Sequence, residues 1–245
     1  MKIDVLDHGY VQFVEAWGTG DNGQGRGVRA MRGEHDYEVG IIEAARQSTQ
    51  GSFRGWDQDE KLLKYLYNNQ HSTPFEFAGM VIEVQAPLFV FREWHRHRTQ
   101  SYNEMSARYS PLPDLNYVPT IERLLVKNDA NKQAGTIKGS AELNEIGAKL
   151  FQHKLLKTYA ENERQYQFAL ADGVPKELAR VLLPVGRYSK MRASANLRNW
   201  LAFMTLRCAP GAQYEIRMYA DAVANIVGEI FPHTFHLWAK QTFGE

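Results

Sequence analysis

Thiol chemistry is almost missing from this sequence, whose one cysteine is Cys208. That excludes an internal disulfide. Apolar runs of membrane-spanning length are missing too, and the opening residues Met1, Lys2, Ile3 and Asp4 start no apolar signal segment. A soluble, cytoplasmic protein without membrane contact is expected. An excess of charge is also lacking, because 29 Lys plus Arg nearly cancel 28 Asp plus Glu. No global field draws such a chain to DNA or acidic lipid, so any anion site has to be local. Internal repeats are absent. What is present is 44% hydrophobic residues in 245, enough for a sizeable core within the range of a single α/β or α+β unit. One domain spanning 1–245 is expected, with an exposed excursion at the polar stretch 128–139.

The densest chemistry lies at 96–109, RHRTQSYNEMSARY. Arginines, a histidine, hydroxyls, amides and a carboxylate crowd together, and only Met105 is apolar enough to seed a core. Such a stretch holds a polar ligand. Arginine's planar fork grips phosphate or an anionic ring in a fixed orientation, whereas lysine offers a point charge. The spacing of Ser101, Asn103, Glu104, Ser106 and Arg108 is too irregular for one helix face, and turn-formers are too dense for a central strand. A loop leaving a short helix is predicted. Glu93, His95 and His97 invite a metal reading, but no further ligand stands at helical or finger spacing and the neighbouring arginines repel a cation. No metal is expected.

In chain order, 3–17 alternates enough for one or two short strands. Gly18, Gly20 and Gly23 fit GxGxxG, yet Gly25, Arg26 and Gly27 follow instead of a helix, so a flexible loop is the better reading. Short helices are predicted at 40–49 and at 57–69, the second capped by Asp57. Pro74 is expected to push Thr73 toward extended geometry, aiming its hydroxyl and nearby His71 off the backbone. Residues 77–85 read as a strand, and Pro87 opens a helix to about His95. After a proline-punctuated loop at 111–120, a long helix over 140–172 is expected to bury Leu143, Ile146, Leu150, Leu155, Tyr159, Tyr166 and Leu170. Pro175 starts a helix that Pro184 ends. A strand at 188–193 then leads to a helix over 195–206 capped by Ser194, with Asn196 and Arg198 in a first turn that favours an anion. A last long helix over 213–231 is stopped by Pro232, and a short terminal helix follows.

The run at 96–109 also reads Arg-His-Arg, two free positions, Ser, one free, Asn-Glu, one free, Ser, one free, Arg-Tyr. It resembles the signature of the flavin-dependent thymidylate synthases at every fixed position, a match too specific to arise by chance. Further stretches resemble that family in order: Ala44-Ala45-Arg46-x-Ser48, His71-x-Thr73-Pro74-Phe75-Glu76, Ala179-Arg180-x-x-Leu183-Pro184, then Leu206-Arg207 and Ala212-Gln213-x-Glu215-Ile216-Arg217. Departures occur where many relatives carry His, Asn and Gln and this chain has Gly211, Ala202 and Glu93.

The resemblance implies an α+β domain with a mixed or antiparallel sheet flanked by helices. It implies reductive methylation of dUMP to dTMP, with methylenetetrahydrofolate supplying carbon and FAD, reduced by NADPH, supplying the hydride, so that tetrahydrofolate is the folate product. Catalytic roles fall to Arg207, which can stabilise charge at N3 and the adjacent carbonyl, and to Ser106. Substrate binding is implied for Glu93, Arg96, Glu104, Ser106, Ala107, Arg108, Arg180 and Arg207. Flavin binding is implied for His71, Thr73, Arg96, His97, Arg98, Glu104, Asn196, Leu197 and Arg198. Cys208 stands beside Arg207, which could lower its pKa, but the family does not require a cysteine there. Ser106 lacks an evident base, so orienting dUMP is its expected role. The family also implies a homotetramer with shared active sites, in which Arg180 or Arg207 of one chain meets dUMP beside 104–108 of another. A single-stranded nucleic-acid or nucleotide-binding module without catalysis is the rival reading, with Trp94, Tyr102 and Tyr109 as stacking groups. The neutral balance and lone cluster weigh against nucleic acid.

Overall fold

The computed structural model describes residues 1–18, 36–126, 136–137 and 140–244. The loop expected after Gly18 and most of the excursion at 128–139 lie outside these residues. Alternating apolar residues open the chain as two strands, β1 (Lys2–Val5) and β2 (Gly9–Trp17), across a turn in which Leu6 takes a φ of 58°. β2 pairs with β3 (Gly79–Pro87), and β3 with β5 (Tyr188–Asn196). β5 also carries β4 (Ser101–Glu104), so the order is β1-β2-β3-β5-β4. Every ladder is antiparallel. The fold is therefore α+β, with the antiparallel member of the two sheet types expected.

β3 holds the centre, and its Ile82, Val84 and Ala86 are fully buried. Pro87 ends it in extended conformation and caps α3 (Leu88–Trp94). The first amides of α3 find partners outside the helix, Leu88 N donating to Arg187 O at 2.9 Å and Phe89 N to Val185 O at 3.1 Å. This satisfies groups that a helix start leaves unpaired. Upstream lie α1 (Val39–Arg46) and α2 (Trp56–Asn68). Gly55, not Asp57, occupies the cap of α2; Asp57 sits in the first turn, where a carboxylate suits the positive helix end. Thr73 is not extended, because Thr73–Glu76 closes a 3-10 turn that takes Pro74 near its start, where the missing N–H costs no bond.

Downstream come α4 (Ile121–Leu125), α5 (Glu145–Ala171) and α6 (Lys176–Ala179), the last running into a 3-10 turn at Arg180–Leu182. The expected buried side of α5 is largely open in the single chain: Ile146 is 78% and Leu150 51% exposed, while Tyr166 and Ala148 are buried. Among the described residues, the chain fully buries only Ala148 and Tyr166 of α5. α7 (Leu197–Arg207) is capped by Asn196 and not Ser194, because β5 continues to Asn196 before the chain turns; the Asn196 side chain accepts from Asn199 N at 3.0 Å. α8 (Tyr214–Ile230) and α9 (Pro232–Phe243) follow, and Pro232 both stops one helix and starts the next. α7 and α8 pack on the sheet. Trp94 stacks on Phe203 at 4.6 Å between ring centres, and the Trp200 indole donates to Met80 O at 3.1 Å. Those contacts fix α3 and α7, the two helices that carry the site.

Candidate functional site

Two cavities meet α3. Leu88 and Arg92, one helical turn apart, line the first, of about 620 Å³. Glu93, turned about 100° from Arg92, lines the second, of about 880 Å³.

The first cavity gathers the signature. β4 lies along β5 in a register that pairs Ser101 with Ser194 and Glu104 with Met191. Met105 N extends the ladder to Lys190 O at 2.7 Å, after which the chain turns back through Tyr109 N to Ser106 O at 3.0 Å. A strand therefore carries the middle of the segment predicted as a loop. An edge strand needs a partner on one side only, which tolerates polar, turn-forming residues. Glu104, Ser106, Ala107 and Arg108 then line the cavity with Arg180, which approaches from beyond α6. Burial pushes the Glu104 carboxyl above its ordinary pKa. The Ser106 hydroxyl accepts from Arg108 N at 3.3 Å; among the described residues no imidazole or carboxylate bonds to it as a base. Arg92 joins Arg108 and Arg180 here. Its placement one turn after Leu88, just upstream of the signature, was the only sequence signal for it.

The second cavity holds Arg207, the last residue of α7. Its Nη1 donates to Glu93 Oε2 at 2.5 Å, Nη2 to the Glu93 carbonyl at 2.9 Å, and Nε to His97 Nε2 at 3.0 Å. Burial, then the Arg207 charge, lowers His97 to about 4, against the pull of Glu93. His97 is thus a neutral acceptor. Glu215 of the closing motif anchors the wall of this cavity, accepting from Arg123 Nε at 2.8 Å, Gln213 Nε2 at 2.8 Å and the Tyr117 hydroxyl at 3.1 Å. Burial raises its carboxyl, but Arg123 and Gln213 outweigh burial and leave it below the ordinary range. A Cβ placed on Gly211 meets nothing within 4 Å, so the departure from histidine leaves open space.

A third region surrounds the start of α7. His71 and Thr73 line a cavity of about 500 Å³ with Ser48, and His71 and Arg198 share an adjoining one of about 200 Å³. Arg198, 52% exposed, pairs with Glu76. Leu197 has its side chain in the core and gives its N–H to Ala78 O at 2.7 Å. It holds Asn196 and Arg198 in place from behind. Arg96 and Arg98 are exposed, and neither lines these cavities.

Of the two arginines expected to come from another chain, Arg180 shares a cavity with Arg108 of its own chain, and Arg207 does not. The buried thiol of Cys208 is pushed up to about 12 by burial and by Asp221, while Arg207 is turned toward Glu93 and His97. The lowering that its place beside Arg207 could have brought therefore does not occur. Trp94 is fully buried and unavailable for base stacking, and the Tyr102 hydroxyl is spent on the carbonyls of Trp94 and His97. Among the described residues no cluster of three or more His, Cys, Asp or Glu is arranged to hold a metal, and no helix is long and apolar enough to cross a membrane.

The family described as thymidylate synthase complementing protein matches residues 30–233. A flavin-dependent thymidylate synthase of Thermotoga neapolitana is 32% identical over 243 residues, 99% of this chain and 96% of the relative. Another, of Thermus thermophilus, is 37% identical over 232 residues, 95% and 76% of the two chains. Among solved structures, the UMP/dUMP methylase PolB from Streptomyces cacaoi bound with 5-Br UMP superposes with a TM-score of 0.77 at 26% identity, covering 98% of this chain and 97% of that one.

Proposed function

The chain belongs to the flavin-dependent thymidylate synthase family, and on that premise we propose that it methylates carbon 5 of dUMP to give dTMP, taking the carbon from methylenetetrahydrofolate, with FAD as its flavin and NADPH as the reductant. The observation that carries the reading is the convergence of Arg92, Arg108 and Arg180 with Ser106 on one cavity. Three arginines lining one pocket suit a phosphate monoester, which bidentate donors orient as well as bind. Ser106 and the backbone at Ala107 add neutral contacts, and Glu104 borders both nucleotide and flavin.

Uracil carbon 5 is a weak nucleophile, so the site has to favour negative charge on the ring as the new bond forms. Arg207 is suited to this, being fixed before any substrate arrives. Holding phosphate and ring at separate points also lowers the entropy cost of alignment.

The donors near α7 fit a flavin nucleotide. Arg198 is exposed beside a helix N-terminus whose positive end favours pyrophosphate, His71 and Thr73 edge the adjoining space, and Asn196 caps the same helix. Arg96 and Arg98 extend the cationic rim, with the neutral His97 between them in sequence and Leu197 as support. Bound and reduced, the flavin supplies the hydride that no side chain carries.

A homotetramer with sites shared between subunits completes the reading. The exposed apolar side chains of α5 give such an assembly surface to cover, and it brings Arg207 of one subunit to the Arg108 cavity of another. Purified protein tests the proposal: it is expected to show flavin absorbance, to release FAD on denaturation and to bind dUMP. Release of FMN would overturn the cofactor assignment, and salt-sensitive polynucleotide binding without flavin would overturn the enzyme reading.

A further inference from the structure

We infer that Glu93 is a positioning residue for Arg207: with His97 it forms a holder that offers the guanidinium to the nucleotide in one orientation and with its charge already balanced. The inference rests on the reading that Arg207 meets the uracil of dUMP. Three of the five N–H donors of an arginine are committed in this chain, two to Glu93 and one to His97. Arg207 is only 12% exposed, and Glu93 39%. The guanidinium cannot swing without breaking all three bonds together, because they are made by three different nitrogens around the edge of the planar group.

The two partners play different parts. His97 accepts at Nε2 as a neutral imidazole, kept so by burial and by Arg207 itself, and brings no charge. Glu93 brings charge through its carboxylate and a second acceptor through its backbone carbonyl at the end of α3, where a cation is favoured by the helix dipole. The pair is net neutral, so its remaining donors suit a carbonyl edge such as that of uracil, where negative charge develops only as the reaction proceeds, better than a standing anion. The phosphate belongs instead with Arg92, Arg108 and Arg180. Glu93 thereby separates the two kinds of recognition, although it follows Arg92 directly in the chain.

A double-mutant cycle read by equilibrium dialysis of dUMP against the flavin-loaded protein tests the inference. Glu93→Ala is expected to weaken dUMP roughly tenfold, and Glu93→Gln, which keeps an acceptor oxygen, no more than about threefold. In an Arg207→Ala background, Glu93→Ala should change affinity less than about twofold. An equal loss in both backgrounds would mean that Glu93 acts independently of Arg207, and an unchanged Glu93→Ala that the holder is dispensable; either overturns the inference alone. Should Glu93→Ala not fold, Arg207→Lys asks the same question. A lysine keeps the charge but cannot bond Glu93 and His97 as a fork does, so it should lose about as much affinity as Arg207→Ala, and wild-type binding by it would overturn the holder. Wild-type protein that binds flavin but no dUMP would instead overturn the parent reading, and this inference with it.

Discussion

Arg108 and Arg207 line different cavities of one chain, with neighbouring residues of α3, Arg92 and Glu93, lining one each. The proposed sharing of sites between subunits has two chains supply them to one nucleotide. Mixing inactive Arg108→Ala and Arg207→Ala proteins after reversible dissociation should then restore up to roughly a quarter of wild-type activity, the share of sites that draw both intact residues in a random reassembly. Hybrids shown to form without any return of activity would put both residues in the same subunit at each site.

Arg207 and Arg198 should separate in their effects. Arg207→Ala is expected to lower kcat roughly a hundredfold, the scale of removing one preorganised donor, with flavin still bound. Arg198→Ala should weaken flavin retention instead. Spectroscopic flavin occupancy of the two variants decides it, and a flavin-free Arg207→Ala protein would assign Arg207 to the cofactor.

Cys208 should be chemically silent. Its thiol is buried and pushed up to about 12, so almost no thiolate exists at pH 8 to attack a ring or an alkylating reagent. Cys208→Ala is expected to keep turnover within about threefold, since the change deletes one small buried group. Rapid inactivation of native enzyme by iodoacetamide at pH 8, prevented by that substitution, would contradict this.

Glu38 gives a pH signature in stability. It is fully buried, its carboxylate oxygens accept from His233 N at 2.9 Å and Thr234 N at 2.6 Å at the start of α9, and burial raises it from 4.5 to about 7 despite those bonds. A folded-state pKa above the unfolded value means that the folded chain holds the extra proton. The contribution is complete below about pH 4.5 and is lost as pH rises through about 7, with a slope of up to about 1.4 kcal/mol per pH unit. Glu38→Gln, unable to ionise, should lie below wild type at pH 4.5 and close part of that gap by pH 7.5. Denaturant midpoints at the two pH values measure it; a gap independent of pH would contradict the assignment.

Much of the architecture was legible because local chemistry and fold agree. The alternation before Trp17, the β-branched run ending at Pro87 and the proline and glycine stops each marked an element. Errors fell where a neighbour decides. Ser101 to Glu104 reads as loop by composition, yet β5 offers an open edge and takes it as a strand. Ile146 and Leu150 share a helical face, but periodicity does not say what covers that face. Asn196 took the cap from Ser194 because strand pairing runs to the end of β5. At the site, the signature revealed Ser106 and Arg108 directly. The bonds from Arg207 to Glu93 and His97 join residues more than a hundred positions apart in sequence, and no local pattern encodes them.

The most direct test of the account follows tritium from carbon 5 of labelled dUMP. Replacing the hydrogen at that carbon with a methyl group must release the label, and the release should require both methylenetetrahydrofolate and a reduced flavin source. Because the hydride comes from flavin and not from the folate, tetrahydrofolate should accumulate in step with dTMP. Dihydrofolate formed in equal amount to dTMP, or tritium release coupled to dTMP formation without reduced flavin, would contradict the account.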